Sequence, residues 1–276
     1  MEKMRLLKYG SKPCGETRRA DFLKYFGRNV ETTRIVSFGS CNFHCNYCKR
    51  DAQFVDDQGN IIRSVLFDWE NEIKPMLVKA IENGERVRLS GGDPVMHQKE
   101  SLFIAKWAMD NYGKKISIAH NGSSLSFVKK IAPYLDYAAI DLKGGTAKEL
   151  ALRAGLHSEV NGQFMLDSTI KVQNYLSENG VIVDIRTPVF DTTTLDDLRK
   201  MASLITAGGN LDNKFWTLRA YKKVKGCDWG EPNQNDVLEY AKILSKEFNI
   251  PIGLRLKWSG QKEFKIFEPA ILRKVI

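Results

Sequence analysis

Cys41-Asn42-Phe43-His44-Cys45-Asn46-Tyr47-Cys48 is the stretch on which the reading of this chain turns. Three cysteines at C-x3-C-x2-C spacing follow directly on an apolar, strand-like run carrying Ile35, Val36 and Phe38. A loop this short can wrap three thiolates around one face of a metal centre. A closed structural zinc site or a complete iron–sulfur site takes four protein ligands, so three leave one coordination position open. Two readings stand at this point: zinc with His44 or a distant histidine as fourth ligand, or an open metal centre that does chemistry.

The rest of the composition narrows the setting. A chain of 276 residues suits one large α/β domain or two small ones and can bury a sizeable core. No apolar run approaches the roughly 20 residues needed to span a bilayer. The start, Met1-Glu2-Lys3-Met4-Arg5-Leu6-Leu7, lacks the apolar core of a signal peptide, so a cytoplasmic protein without membrane association is expected. Five cysteines, three of them clustered, point to metal or redox chemistry rather than a disulfide framework. The isolated Cys14 and Cys227 read as bland thiols.

The net charge of +9 is concentrated at the ends. Met1–Arg34 holds 9 basic and 4 acidic residues, and Lys214–Ile276 holds 13 basic and 7 acidic ones. Basic ends attract a phosphorylated, nucleic-acid or acidic protein partner. No basic motif interleaved with aromatics marks a nucleic-acid module.

Along the chain, short β-rich runs alternate with helical patterns. Strands are expected at 34–39, 86–90, 116–120, 138–143, 181–186 and 215–220, with a further one at 251–257. Amphipathic periodicity predicts helices over 69–82, 101–112, 168–179, 195–207 and 236–248. Two of them stop at Asn-Gly, at Asn83-Gly84 and Asn179-Gly180. Near-continuous apolar strands alternating with helices mean a parallel sheet with helices outside. Six such units fall short of a complete eight-unit barrel. The expected fold is α/β, a partial (β/α)6 TIM-like barrel. Its parts are a basic N-terminal arm at 1–33, a barrel core at 34–223 and a C-terminal extension at 224–276 packed on the barrel.

Parallel α/β proteins bind ligands at the C-terminal edges of their strands. The unusual residues gather there. The cysteine loop follows the first strand and Ser90-Gly91-Gly92-Asp93-Pro94 ends the second. His120-Asn121-Gly122, Asp141-Leu142-Lys143, Arg186-Thr187-Pro188 and Arg219-Ala220-Tyr221-Lys222 end the next four.

The cysteine loop with its aromatic Tyr47, and the Gly-Gly-acid-Pro motif at the next strand end, resemble the radical S-adenosylmethionine (SAM) superfamily. The order of strand-end motifs over about residues 34–223 is most similar to pyruvate formate-lyase activating enzyme and its relatives. The resemblance implies one 4Fe–4S cluster on Cys41, Cys45 and Cys48, with SAM on the fourth iron. It implies one-electron reductive cleavage of SAM to a 5′-deoxyadenosyl radical, which abstracts hydrogen from a substrate. It also implies an electron donor such as flavodoxin or ferredoxin. By the same resemblance Gly91 and Gly92 let backbone approach the methionine part, Asp93 accepts from its ammonium and Arg186 takes its carboxylate. Ser90, His120, Asp141 and Lys143 match positions that face the methionine or ribose, and Tyr47 matches the aromatic beside the adenine. Asp93 stands where the family usually has Glu, and Lys222 where activating enzymes show His.

Three functions follow as expectations. The preferred one is radical modification of a small molecule, nucleotide, nucleic acid or peptide. The alternative is an activating enzyme that installs a glycyl radical on a partner enzyme, against which stands the lack of a Gly-Pro-Gly-x-Arg stretch before the loop. A non-catalytic metal-binding or electron-transfer protein is the third; it leaves five furnished strand ends unexplained.

Overall fold

The computed structural model describes residues 3–9, 12–13, 17–19, 32–48, 63–224, 226–256 and 264–268. Cys14 lies outside them. The strands in chain order are β1 (Lys3–Tyr9), β2 (Lys12–Pro13), β3 (Thr17–Arg19), β4 (Thr32–Phe38), β5 (Arg63–Asp68), β6 (Arg86–Gly91) and β7 (Ile116–His120). They continue with β8 (Leu135–Asp141), β9 (Ile182–Val189), β10 (Lys214–Ala220), β11 (Ile252–Arg255) and β12 (Phe264–Phe267). Seven α-helices are described: α1 (Lys74–Glu82), α2 (Gln98–Tyr112), α3 (Leu125–Ile131), α4 (Ala147–Ala154), α5 (Glu159–Glu178), α6 (Leu195–Thr206) and α7 (Gln234–Phe248). The result is a mixed α/β fold whose sheet is mostly parallel and open, the class expected.

The chain forms two compact units. The first comprises Met1–Asn42, Lys49–His120 and Ser126–Ala138. Within it β6 runs parallel between β4 and β7, with Thr33 opposite Arg86 and Phe38 opposite Gly91 at the two ends of the β4 ladder. β1 pairs antiparallel with β4 and with β5, from Lys3↔Asp68 to Lys8↔Arg63, so the stretch expected as a basic arm contributes strands where it is described. Met4, Leu6, Val36, Phe38, Leu89, Ile104 and Ile118 fill this unit's core. The predicted helix 69–82 begins as a wider π-type turn, Trp69–Ile73, capped by Asp68, whose side chain accepts from the Asn71 amide. It becomes α-helical at Lys74 and buries Leu77 and Ala80.

The second unit comprises Phe43–Cys48, Asn121–Leu125 and Ala139–Ile276. β9, β10 and β11 are parallel neighbours, and β12 turns back antiparallel on β11. One face of this ladder is mostly apolar, with Val183, Ile185, Trp216, Leu218, Ile252 and Leu254 all buried, and Thr187 and Lys214 its buried polar members. α5 starts nine residues before the expected 168, capped by Ser158 accepting from the Asn161 amide. Gly162 stands in its first turns. In the fold, a Cβ there would lie 2.1 Å from the Ala147 carbonyl oxygen, so the glycine is what lets α4 and α5 approach.

Candidate active site

In the first unit, β6 ends against the chain that leads to the cysteine loop. The Gly92 amide donates to the Phe38 carbonyl and the Asp93 amide to the Ser40 carbonyl, each at 2.7 Å. A Cβ on Gly91 (φ 109°) would sit 2.1 Å from the Phe38 nitrogen, and one on Gly92 2.0 Å from the Ser40 oxygen. Both glycines therefore have a structural reason besides any approach to a ligand: the two strand ends are stitched backbone to backbone. Asp93, next in line, is buried. It accepts from the Val95 amide at 2.9 Å and faces His120 Nδ1 at 2.7 Å. A carboxylate on Nδ1 fixes the proton there and leaves Nε2 as an acceptor. That Nε2 is buried with no hydrogen-bond partner among the described residues. Ser90 is half-buried one residue before the glycines. His97 stacks on Phe38, with ring centroids 4.8 Å apart, and pairs with Ser40 Oγ at 2.9 Å, a packing role.

In the second unit, the cysteine loop is held from behind by α4. The His44 amide donates to the Ala154 carbonyl at 2.9 Å, and α4 ends in a left-handed Gly155 (φ 64°). A Cβ on Gly155 would lie 2.2 Å from the His44 carbonyl oxygen. The Cys48 amide closes a turn on the Cys45 carbonyl at 2.9 Å. His44 itself points outward and is exposed. Cys45 is buried, and burial pushes its thiol up to about 11. Cys41, Cys45, Cys48 and Cys227 are not joined in disulfides.

The strand ends of this unit meet the loop. Lys143 Nζ binds Asp141 Oδ2 at 2.7 Å and stands 5.7 Å from the centre of the Tyr47 ring, within cation–π range. Burial disfavours the Lys143 charge, but the Asp141 carboxylate more than offsets this and holds the ammonium well above its usual range. Burial also works against the Asp141 charge, and Lys143, with help from Arg219 and Arg186, lowers that carboxyl below its usual range. Tyr47 packs edge-on against Phe190 at 5.1 Å and near Trp229 at 5.5 Å, in a cluster with Tyr221, Val224 and Cys227. Its hydroxyl is buried without a partner among the described residues, and burial raises the phenol. Arg186, also buried, gives its Nε to Asp184 Oδ2 at 2.7 Å.

Among the described residues no group of three or more His, Cys, Asp or Glu side chains is arranged to hold a single metal ion. The donor chemistry is that of sulfur, three cysteines within one eight-residue loop.

A family model described as the radical SAM superfamily matches residues 35–205. The chain belongs to the radical SAM superfamily. Radical SAM proteins use SAM and an iron–sulfur cluster, which agrees with an all-thiol loop whose Cys45 is held in a buried turn. Among relatives, a GTP 3′,8-cyclase from Helicobacter pylori (strain J99 / ATCC 700824) is 25% identical over 57% of this chain and 49% of its own length. The chain thus spans about half the length of the curated relatives it matches. A radical SAM methyltransferase from Sphaerobacter thermophilus shares the fold, with a TM-score of 0.60, 15% identity, and coverage of 81% of this chain and 66% of its own. A domain of pyruvate-formate lyase-activating enzyme from Bacteroides vulgatus covers 61% of this chain and 98% of its own at TM-score 0.48 and 14% identity. Among the described residues no helix is long and apolar enough to cross a membrane.

The expected site residues thus fall into two groups. Ser90, Gly91, Gly92, Asp93 and His120 belong to the first unit, as does Cys41; Cys45, Tyr47, Cys48, Asp141, Lys143 and Arg186 belong to the second. Residues absent from the sequence reading are Asp184, Arg153, Gly155, Phe190 and Trp229. Asp184 carried a signal: a carboxylate inside an apolar strand run, two residues before Arg186 on the same face. Arg153, whose Nη1 donates to the Lys143 carbonyl at 3.0 Å, gave none, because its partner lies across a helix–strand turn.

Proposed function

We propose that this radical SAM enzyme modifies a phosphorylated small molecule or nucleotide directly, through hydrogen abstraction. The observation that carries the reading is the junction of Lys143, Asp141 and Tyr47 at Cys45–Cys48, where a buried ion pair from a strand end meets the thiol loop. A buried ion pair costs desolvation and is weak support for stability alone. Beside a cofactor loop it has a further use, as a charged contact for a bound ligand.

Cys41, Cys45 and Cys48 would hold the cluster, and Gly91, Gly92, Asp93, His120, Ser90, Asp141, Lys143, Arg186 and Tyr47 would hold SAM. When bound, the cluster supplies the electron that cleaves the SAM sulfonium and so provides the hydrogen-abstracting radical. The chain's own contribution is positioning and exclusion of water. Asp93, its proton relation to His120 fixed, presents carboxylate to an ammonium. Arg186 offers guanidinium N–H groups to a carboxylate, steadied by Asp184. The Tyr47–Phe190–Trp229 rings close the loop's flank to solvent. The first substrate to try is GTP, since the name of the Helicobacter relative records a reaction on it. The basic ends suit an acidic electron donor such as flavodoxin or ferredoxin.

Anaerobic reconstitution with iron and sulfide, then reduction in the presence of SAM, is expected to yield 5′-deoxyadenosine. Cys45→Ala should abolish it while circular dichroism stays unchanged. Transfer of deuterium from a labelled phosphorylated substrate into 5′-deoxyadenosine identifies the target. An EPR doublet formed instead on a glycyl-radical enzyme would replace this reading with the activating one.

A further inference from the structure

The short helix α4 buries Ala147, Leu150, Ala151 and Ala154, and a cation lies among them. Arg153, in the last turn, is only 7% exposed. Its Nη1 donates to the Lys143 carbonyl at 3.0 Å, and its guanidinium carbon stands 5.4 Å from the centre of the Phe190 ring. Phe190 in turn packs on Tyr47 of the cysteine loop at 5.1 Å. The next residue along, Ala154, accepts from the His44 amide of the same loop at 2.9 Å. Arg153 is thus fixed behind the stretch from His44 to Tyr47 by its backbone and by its side chain, all within one compact unit.

Arg153 differs from its cationic neighbours in what it pairs with. Lys143 binds Asp141 and Arg186 binds Asp184, each at 2.7 Å, so each brings a carboxylate. The partners of Arg153 are a carbonyl oxygen and a ring face, neither of which carries a net charge. The carboxylate one turn before it, that of Glu149, is given to the Gly145 amide at 2.8 Å. Burying a cation without a carboxylate costs desolvation. The end of α4 offsets part of this, because the last carbonyls of a helix favour a cation. Negative charge gathered at the cysteine sulfurs offsets more, since attraction between charges is strong where water is excluded.

We propose that Arg153 sets the reduction potential of the cluster in the cysteine loop, by placing one fixed positive charge behind that loop. The proposal rests on the reading above that these cysteines hold a 4Fe–4S cluster, and it adds which residue tunes electron uptake there. One electron from the donor adds one negative charge to the cluster and moves no proton. A buried cation stabilises the more negative, reduced state and so raises the potential, net charge being one of the levers on such clusters.

The test is a potentiometric titration of the reconstituted full chain, without SAM, followed by EPR of the reduced cluster. Arg153→Met keeps the stem and removes the charge. At a fixed potential its ratio of reduced to oxidised cluster should fall about tenfold, a negative shift of about 59 mV for one electron. Arg153→Lys keeps a charge and should stay close to wild type. Lys148→Met removes an exposed cation from the same helix, one that water and salt screen, and should leave the potential unchanged. A residue that only braces the loop behaves otherwise: its loss admits water, which favours the reduced state and moves the potential up. No shift or a positive shift in Arg153→Met, an equal shift in Arg153→Lys, or an equal shift in Lys148→Met overturns the proposal. Circular dichroism and iron content establish that each variant is folded and loaded. Should Arg153→Met take up no cluster, Arg153→Gln replaces it, keeping a donor for the Lys143 carbonyl, with the same negative shift expected. No cluster in either neutral variant marks Arg153 as a brace and overturns the proposal. Wild type that takes up no cluster sinks the reading above, whereas a loaded wild type whose potential Arg153→Met matches sinks this proposal alone.

Discussion

Lys214 opens β10 with its side chain fully buried, its ammonium given to three oxygens. They are Asn174 Oδ1 at 2.6 Å, the Ile205 carbonyl at 2.7 Å and the Gly208 carbonyl at 2.5 Å. Two of these belong to the end of α6 and the loop after it, where unsatisfied carbonyls collect. Lys214→Met removes all three bonds and leaves buried acceptors, so it should cost about 3 kcal/mol in urea unfolding. Asp141 gives the pH dependence of the same unit. Burial works against its charge, but Lys143, Arg219 and Arg186 hold its folded carboxyl below the ordinary value. A depressed folded pKa contributes stability above the unfolded value, near 3.9, and loses it as pH falls through the folded one. Melting temperatures of wild type and Asp141→Asn should therefore differ most at neutral pH and converge below about pH 4. A constant difference down to low pH would mean that the charge of Asp141 contributes nothing.

α4 and β9 decide the site at the level of elements. The left-handed end of α4 lies against the cysteine loop, and Gly155→Ala puts a methyl group where the His44 carbonyl is. The backbone cost at that φ is about 1–2 kcal/mol. The larger effect expected is a fall in iron bound per chain on reconstitution, with helix content by circular dichroism nearly unchanged. On β9, Asp184 is a positioning residue for Arg186. Asp184→Asn should raise the KM for SAM about tenfold and change kcat less, because one charged hydrogen bond orients the guanidinium. An equal fall in kcat with KM unchanged would place Asp184 elsewhere in the mechanism. The sequence periodicity finds β9 itself but ends it at Arg186, whereas the strand runs on to Val189, where pairing with β10 continues to Ala220. The Asp184–Thr217 contact depends on the register of β9 against β10, between residues 33 apart, and no local pattern encodes that. Helix ends show the same division: Asn83-Gly84 stops α1 as read, whereas α5 begins early because Gly162 answers to Ala147 on another helix.

For the whole molecule, a cluster bound by the folded loop and not by the unfolded chain must stabilise the fold by mass action. The reconstituted protein should melt several degrees higher than the metal-free one, and Cys45→Ala should show no such gain. Melting curves that coincide would place the cluster outside the folded loop. What the sequence determined by itself is local: the thiol spacing, the acid and glycines after the second strand run, the alternation of strand and helix. Such features act over a few residues, through ligand reach, backbone conformation and the periods of strand and helix. Only the tertiary structure decided that Lys143 meets Tyr47, that Asp184 steadies Arg186 and that α4 backs Cys45. Each of these is a matter of register or close approach between segments far apart in the chain, fixed by packing across the whole unit and not by any stretch within it.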